Sequence, residues 1–172
     1  RFVKMLGVPV VMVRTYGAFS RQPLYNCLRK RNVQVTADMK YVLSAEDVAV
    51  KSPDEINEIV NREFDFDNFK WQQENKISIP DAERAEGLNR VLYKCPHCMT
   101  ESKMAGQGTT LTCEHCGKQY ELTEYGYLQA TDGDGKFEHI PDWYRWEREC
   151  VRQEILDKTY ELKVPVDIYM MV

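Results

Sequence analysis

Two Cys-x-x-Cys pairs constrain this chain more than any other feature: Cys95-Pro96-His97-Cys98 and Cys113-Glu114-His115-Cys116, with fourteen residues between them. Each pair presents two thiolates from one tight turn, and a zinc ion takes four such ligands in a tetrahedron. Gly117, directly after the second pair, gives the backbone the freedom that such a turn demands. The run QGTTLTC reads as a strand leading into the second pair, and KQYELTEYG as a strand leading out. Two knuckles at the tips of hairpins form a zinc ribbon, so the sequence predicts a structural Zn2+ held by Cys95, Cys98, Cys113 and Cys116. Four thiolates fill the ion and leave no position for water or substrate. A redox role needs only one pair and a surrounding βαβ unit, which this sequence lacks. An iron–sulfur centre would use the same four ligands, but the hairpin setting favours zinc. His97 and His115 occupy matching places inside the knuckles and are expected to face solvent.

The chain has six cysteines in 172 residues. Four of them in this paired spacing indicate metal binding in a reducing compartment rather than a disulfide framework. Cys27 and Cys150 are left over and read as buried thiols.

The remainder predicts an α+β chain. Val8 to Val13 form a β-branched run suited to a buried strand, with Pro9 at its start, where no ladder donor is needed. TYGAFSRQPLYN reads as a loop, and alternation around Val33 and Val35 marks a second strand. Arg29-Lys30-Arg31 between them reads as a solvated turn. Ser52-Pro53-Asp54-Glu55 is a helix start with a capping box, and Ile56, Ile59, Val60 and Phe64 share one face. Asp65 or Asp67 can cap a second short helix, with Phe64, Phe66, Phe69 and Trp71 as core aromatics. DAERAEGLNR reads as a short helix ending at Gly87. A boundary near residue 90 separates residues 1–90 from a zinc-stapled sheet with one helix at 91–172. Within the latter, Tyr120 to Gln129 reads as a strand, and the Asp-Gly steps of ATDGDGKF as a hairpin turn. Asp132 and Asp134 do not open a calcium loop, because Phe137 and Trp143 stand where that loop requires Gly and Glu. Pro141 and Asp142 begin a helix striped by Trp143, Trp146, Cys150, Val151 and Ile155. Tyr160 to Met170 alternates as a closing strand.

Charge narrows the function. Residues 1–50 carry eight Lys or Arg against three Asp or Glu, a net of +5, so the rest carries −9 of the overall −4. An acidic ribbon half predicts no nucleic-acid binding. The basic N-terminal part is compatible with an anionic ligand or an acidic lipid face. No apolar run reaches the length of a membrane span. The chain lacks an initial Met and ends in an apolar segment, so both ends read as cut from something longer. The usual catalytic signatures are missing: no Gly-x-Ser-x-Gly elbow, no phosphate-cradling Gly-rich loop and no two-His metal motif. His139 reads as a packed residue at a helix start.

FVKMLGVPVVMVRTYGAF, followed by VQVTADMKYVLSAEDV and SPDEINEIVNREF, resembles the C-terminal half of the 1-acylglycerol-3-phosphate acyltransferases. The family's Val-Pro-Val/Ile-Val-x-Val strand matches Val8-Pro9-Val10-Val11-Met12-Val13. YKCPHC and HIPDWYRWE resemble the zinc-ribbon extension of a bacterial subgroup of these enzymes. The resemblance implies a truncated α/β acyltransferase half followed by the ribbon domain. It also implies a parent protein that moves a fatty acyl group from an acyl donor to a lysophospholipid or other phosphate-bearing acceptor. Such a parent would be cytoplasmic, at the inner face of the membrane, with peripheral membrane contact. Arg14 and Arg21 would then lie near the phosphate site.

The family's catalytic element is a His, four intervening residues and an Asp, and this sequence does not contain it. The residues five places after His97, His115 and His139 are Ser102, Tyr120 and Tyr144. The Glu-Gly-Thr-Arg phosphate motif is missing too. Residues 1–172 are therefore expected to be inactive alone, with no catalytic residue among them. The alternative reading is a zinc-ribbon module for structure or protein interaction, with no enzymatic parent.

Overall fold

In the computed structural model, residues 2–161 are described, and they form a mixed α and β architecture with two small antiparallel sheets. Among the described residues no helix is long and apolar enough to cross a membrane. Helix α1 (Phe2–Leu6) leads past Pro9 into β1 (Val10–Tyr16), which pairs antiparallel with β2 (Thr36–Leu43). Val11 lies opposite Tyr41 and Val13 opposite Met39. The register shifts between Val10 and Val11, which brings Leu43 onto the inner face beside Val10. That face packs on α3 (Ala45–Val50) and α4 (Pro53–Phe64) through a small core of Leu43, Val48 and Ile56.

Local capping sets these helices. Ser44 accepts from the Asp47 N–H while Asp47 accepts from the Ser44 N–H. Ser52 and Glu55 repeat the exchange at α4, with Pro53 in the first turn. Each box satisfies two backbone donors that a helix start leaves unpaired. Asp67 accepts from the Lys70 N–H and opens α5 (Asn68–Glu74).

The second sheet is a meander of β3 (Met104–Gln107), β4 (Thr110–Cys113), β5 (Gln119–Leu122) and β6 (Leu128–Ala130). Helix α6 (Ile140–Leu156) lies on it with Trp143 fully buried, its ring edge-on to Tyr120 at 4.9 Å between centroids. The main core joins Leu92, Cys95, Met104, Leu111, Cys113, Tyr120, Leu128 and Trp143 to Tyr25, Ala85 and Leu88. Packing therefore continues across residue 90.

Several expectations change. Loop residues 18–21 form a short helix α2 (Ala18–Arg21), and β2 begins at Thr36, leaving Val33 buried in the preceding loop. Residues 82–87 form turns rather than a helix, followed by a 3-10 turn over Leu88–Arg90. Arg31 is buried rather than solvated, because its guanidinium donates to the Arg84 carbonyl and lies over the Tyr25 ring. Phe64 is exposed at the end of α4 instead of packed. The hairpin between β5 and β6 turns at residues 123–127, where Thr123 and Tyr127 share a backbone hydrogen bond of 2.8 Å. The Asp-Gly steps instead lie in bends between β6 and α6, because the shorter TEYGY turn closes the hairpin first. Cys27 is exposed and Cys150 half-buried. Of the predicted closing strand, residues 162–170 lie outside the described residues; Tyr160 has no regular structure.

One junction locks the 85–88 turn to the ribbon. The Ala85 N–H donates to the Gly108 carbonyl at 2.8 Å, and the Gly87 N–H to the Gly106 carbonyl at 3.3 Å. A Cβ on Gly106 would meet the Ala85 carbonyl oxygen at 2.5 Å and the Leu88 nitrogen at 2.9 Å. Both are backbone atoms that cannot swing aside. Gly106→Ala should therefore destabilise the protein by about 2 kcal/mol or more in chemical denaturation, a loss in the range of overpacking penalties. A neutral result would mean the 85–88 turn can move away from β3.

Candidate metal centre

The chain places the four predicted ligands together at the base of the meander. Cys95 and Cys113 are buried, Cys98 is half-buried and Cys116 is exposed. Their sulfurs all lie within 4.8 Å of one another. The Cys95 and Cys116 sulfurs stand 3.8 Å apart, and those of Cys98 and Cys113 3.7 Å. Zinc–thiolate bonds of about 2.3 Å in a tetrahedron separate neighbouring sulfurs by about 3.8 Å. The donor set and its spacing thus fit a metal such as zinc, and four thiolates would close its coordination.

The two knuckles share one hydrogen-bond pattern. In the first, Cys95 N–H donates to Thr100 O and Met99 N–H to Cys95 O, each at 2.9 Å. In the second, Cys113 N–H donates to Lys118 O at 2.9 Å and Gly117 N–H to Cys113 O at 2.8 Å. The residue after each second cysteine sits in the left-handed region, Met99 at φ 63° and Gly117 at φ 77°. Glycine occupies that region freely, whereas methionine is strained there. His97 and His115 are exposed, and the His115 Nδ1 stands 3.3 Å from the Thr100 hydroxyl.

The thiols titrate far apart. Burial pushes Cys95 up to about 12. Burial also works to raise Cys98, but the hydroxyl and N–H of Thr100, with His115, outweigh it and bring that thiol down to about 5. Burial raises Cys116 as well. Such a set does not ionise together unless a cation gathers the charge, so metal binding here would release protons.

The foot of the first knuckle is gripped by α6. Glu147 is fully buried, and its Oε2 accepts the N–H groups of Tyr93 at 3.1 Å and Lys94 at 3.2 Å. Its Oε1 faces no hydrogen-bonding group of the protein. The Trp143 indole N–H donates to the Lys94 carbonyl at 2.9 Å. The Lys94 ammonium, itself buried, bonds Glu101 at 3.0 Å and Glu154 at 2.9 Å. Burial alone would lower that ammonium, and the two carboxylates hold it above its ordinary value instead. The sequence reading did not single out Glu147. Its signal was a carboxylate on the apolar stripe of α6, one turn after Trp143.

Burial raises the Glu147 carboxyl from 4.5 to about 7, against the lowering effect of the Lys94 and Tyr93 N–H groups. A folded-state value above the unfolded one means that the fold favours the protonated acid. That contribution is fully present below pH 4.5 and is lost as pH rises through 7.

The histidine nearest a carboxylate is His139, at the start of α6. Its Nε2 lies 2.7 Å from Asp67 Oδ2, and its Nδ1 lies 3.4 Å from the Gln73 amide. Asp67 also caps α5, so the pair ties one helix start to another. A cleft of about 350 Å³ touches Asp67, Pro141 and Tyr144, but His139 is not among its lining residues. Both ring nitrogens thus face polar groups of the protein. Arg14 is bound to the Glu63 carbonyl and Arg21 to the Val33 carbonyl at 2.7 Å. Comparisons with protein families, curated proteins and solved structures find nothing that matches this chain.

Two measurements follow. Met99→Gly should raise the stability of the zinc-loaded protein by roughly 0.5–1 kcal/mol, by relieving the left-handed methionine. An unchanged denaturation midpoint would show that Met99 costs nothing there. Glu147→Gln should remove one pH dependence. Its unfolding free energy relative to the parent chain should grow by roughly 3 kcal/mol as pH rises from 4.5 to above 7. Parallel stability curves for the two proteins would contradict the burial of a neutral Glu147.

Proposed function

We propose that residues 1–172 are a zinc-stapled structural module that performs no chemistry itself, and that it belongs to an acyltransferase whose catalytic His and Asp lie outside this sequence. The observation that carries the first part is the four-cysteine cluster. Four thiolates at tetrahedral spacing, two of them buried, suit an ion that holds chain together rather than one that activates water.

The acyltransferase assignment rests on the resemblance of VPVVMV and its neighbours. That run contributes the first four residues of β1 after a proline that begins the strand, which is compatible with the family pattern. In the parent protein the acyl donor would be a thioester or acyl phosphate, and the acceptor a lysophospholipid or glycerophosphate. The second reading, a zinc module for protein interaction without an enzymatic parent, is favoured by the internal use of Arg14 and Arg21. Those two guanidiniums are spent on backbone carbonyls instead of being offered to a phosphate.

The purified chain should carry one zinc per molecule by elemental analysis. Cys113→Ala should lose the metal together with the packing of β3–β6 and α6, because structural zinc is worth roughly 10–16 kcal/mol in isolated fingers. A metal content below about half an equivalent would refute the staple. Incubated with an acyl thioester and glycerol 3-phosphate, residues 1–172 should form no product; a longer parent with an intact His and Asp should. Transfer by residues 1–172 alone would overturn the assignment of the chemistry to other segments.

A further inference from the structure

We propose that the outer face of the β1–β2 sheet is a self-association surface on which a second copy of this chain stacks. The inner face of that sheet packs on α3 and α4, whereas among the described residues no layer lies over the outer face. Six exposed residues make up the outer face, in three cross-strand pairs: Val11 with Tyr41, Val13 with Met39, and Thr15 with Ala37. Val11 is 47% exposed, Val13 63%, Met39 75% and Tyr41 61%. A contiguous apolar set of this kind marks a contact surface, unlike apolar residues scattered singly.

The choice of occupant follows from charge. None of the six side chains carries a charge at neutral pH. A two-fold contact sets each patch against its own copy, so a charged patch would repel itself, and this one would not. The neighbouring charges lie on the other side of the sheet. Arg14 pairs with Glu63 at 3.7 Å and Lys40 with the same carboxylate at 2.7 Å. The face therefore offers no free cation to an acidic lipid surface or a nucleic acid, both of which bind through such groups.

Size sets the strength. The four large side chains expose roughly 500 Å² per copy, so stacking removes on the order of 1,000 Å², the lower end of specific interfaces. Two sheets stacked about 10 Å apart would bury both sets in one layer. The expected dissociation constant is in the range of tens of micromolar, as for weak interfaces of this area. This inference is independent of the acyltransferase reading, since dimerisation needs neither substrate nor catalytic residues.

Sedimentation velocity on the zinc-loaded chain tests it, between about 5 and about 200 µM. The parent chain should pass from monomer to dimer over that range. Val13→Glu and Met39→Glu should stay monomeric with unchanged zinc content. Leu156→Glu, at an exposed apolar position on α6, should dimerise like the parent. A parent chain that stays monomeric throughout, including one that binds lipid vesicles as a monomer, overturns the proposal. So does a Val13→Glu chain that dimerises normally, or a Leu156→Glu chain that does not. Should either β-face variant fail to fold, hydrogen exchange on the parent chain decides. Slower exchange in β1 and β2 at the higher concentration supports stacking, and unchanged exchange excludes it.

Discussion

The carboxylate of Glu147 is the contact on which the ribbon half depends. It meets two consecutive backbone N–H groups, of Tyr93 and Lys94, at the point where the chain enters the first cysteine knuckle. Trp143, one turn earlier on the same helix, takes the Lys94 carbonyl, and Glu154, further along, takes the Lys94 ammonium. One helix therefore satisfies the N–H, C=O and side chain of a single buried residue. Unpaired, those groups would each carry a desolvation cost of roughly 1–3 kcal/mol. Their pairing fixes where Cys95 begins, and the position of Cys95 decides whether four sulfurs can meet.

Metal site and helix are coupled through this contact in opposite senses of pH. Acid protonates thiolates and works against a bound metal, while the buried Glu147 is more comfortable protonated. Neutral conditions favour the ion and strain the carboxylate, which its two N–H donors partly relieve. The strained left-handed Met99 belongs to the same economy: the first knuckle accepts a conformation for which the second uses Gly117.

The two sheets differ in how complete they are. The meander is enclosed by α6, with Tyr120, Leu122 and Leu128 all buried. Among the described residues, the β1–β2 ribbon is covered on its inner face alone and leaves an uncharged face outward. The main core, running from Tyr25 through Leu88 to Trp143, lies with the ribbon rather than with β1 and β2. The N-terminal pair of strands is thus the less self-sufficient part of the molecule, as expected of a two-stranded sheet.

The sequence alone determined whatever depends on neighbours a few residues apart. The Cys-x-x-Cys spacing named all four clustered cysteines, Ser52 with Glu55 specified a helix start, and Asp65 or Asp67 the next, of which Asp67 is the cap. Each knuckle and each cap spans only three residues, although the two knuckles meet through the fold. The β-branched run Val8 to Val13 marked β1, but as a buried strand, whereas Val11 and Val13 are exposed; alternation did not give the ends of β2 and β5. The tertiary structure decided what depends on partners far along the chain. Asp67 and His139 are 72 positions apart, and Glu147 reaches back 54 to Tyr93. Arg31, legible only as part of a cationic run, is drawn inside by a carbonyl 53 residues away. No local pattern announces these, because a buried polar group is stable only where the fold delivers its partner, and that partner's position is a property of the packed whole.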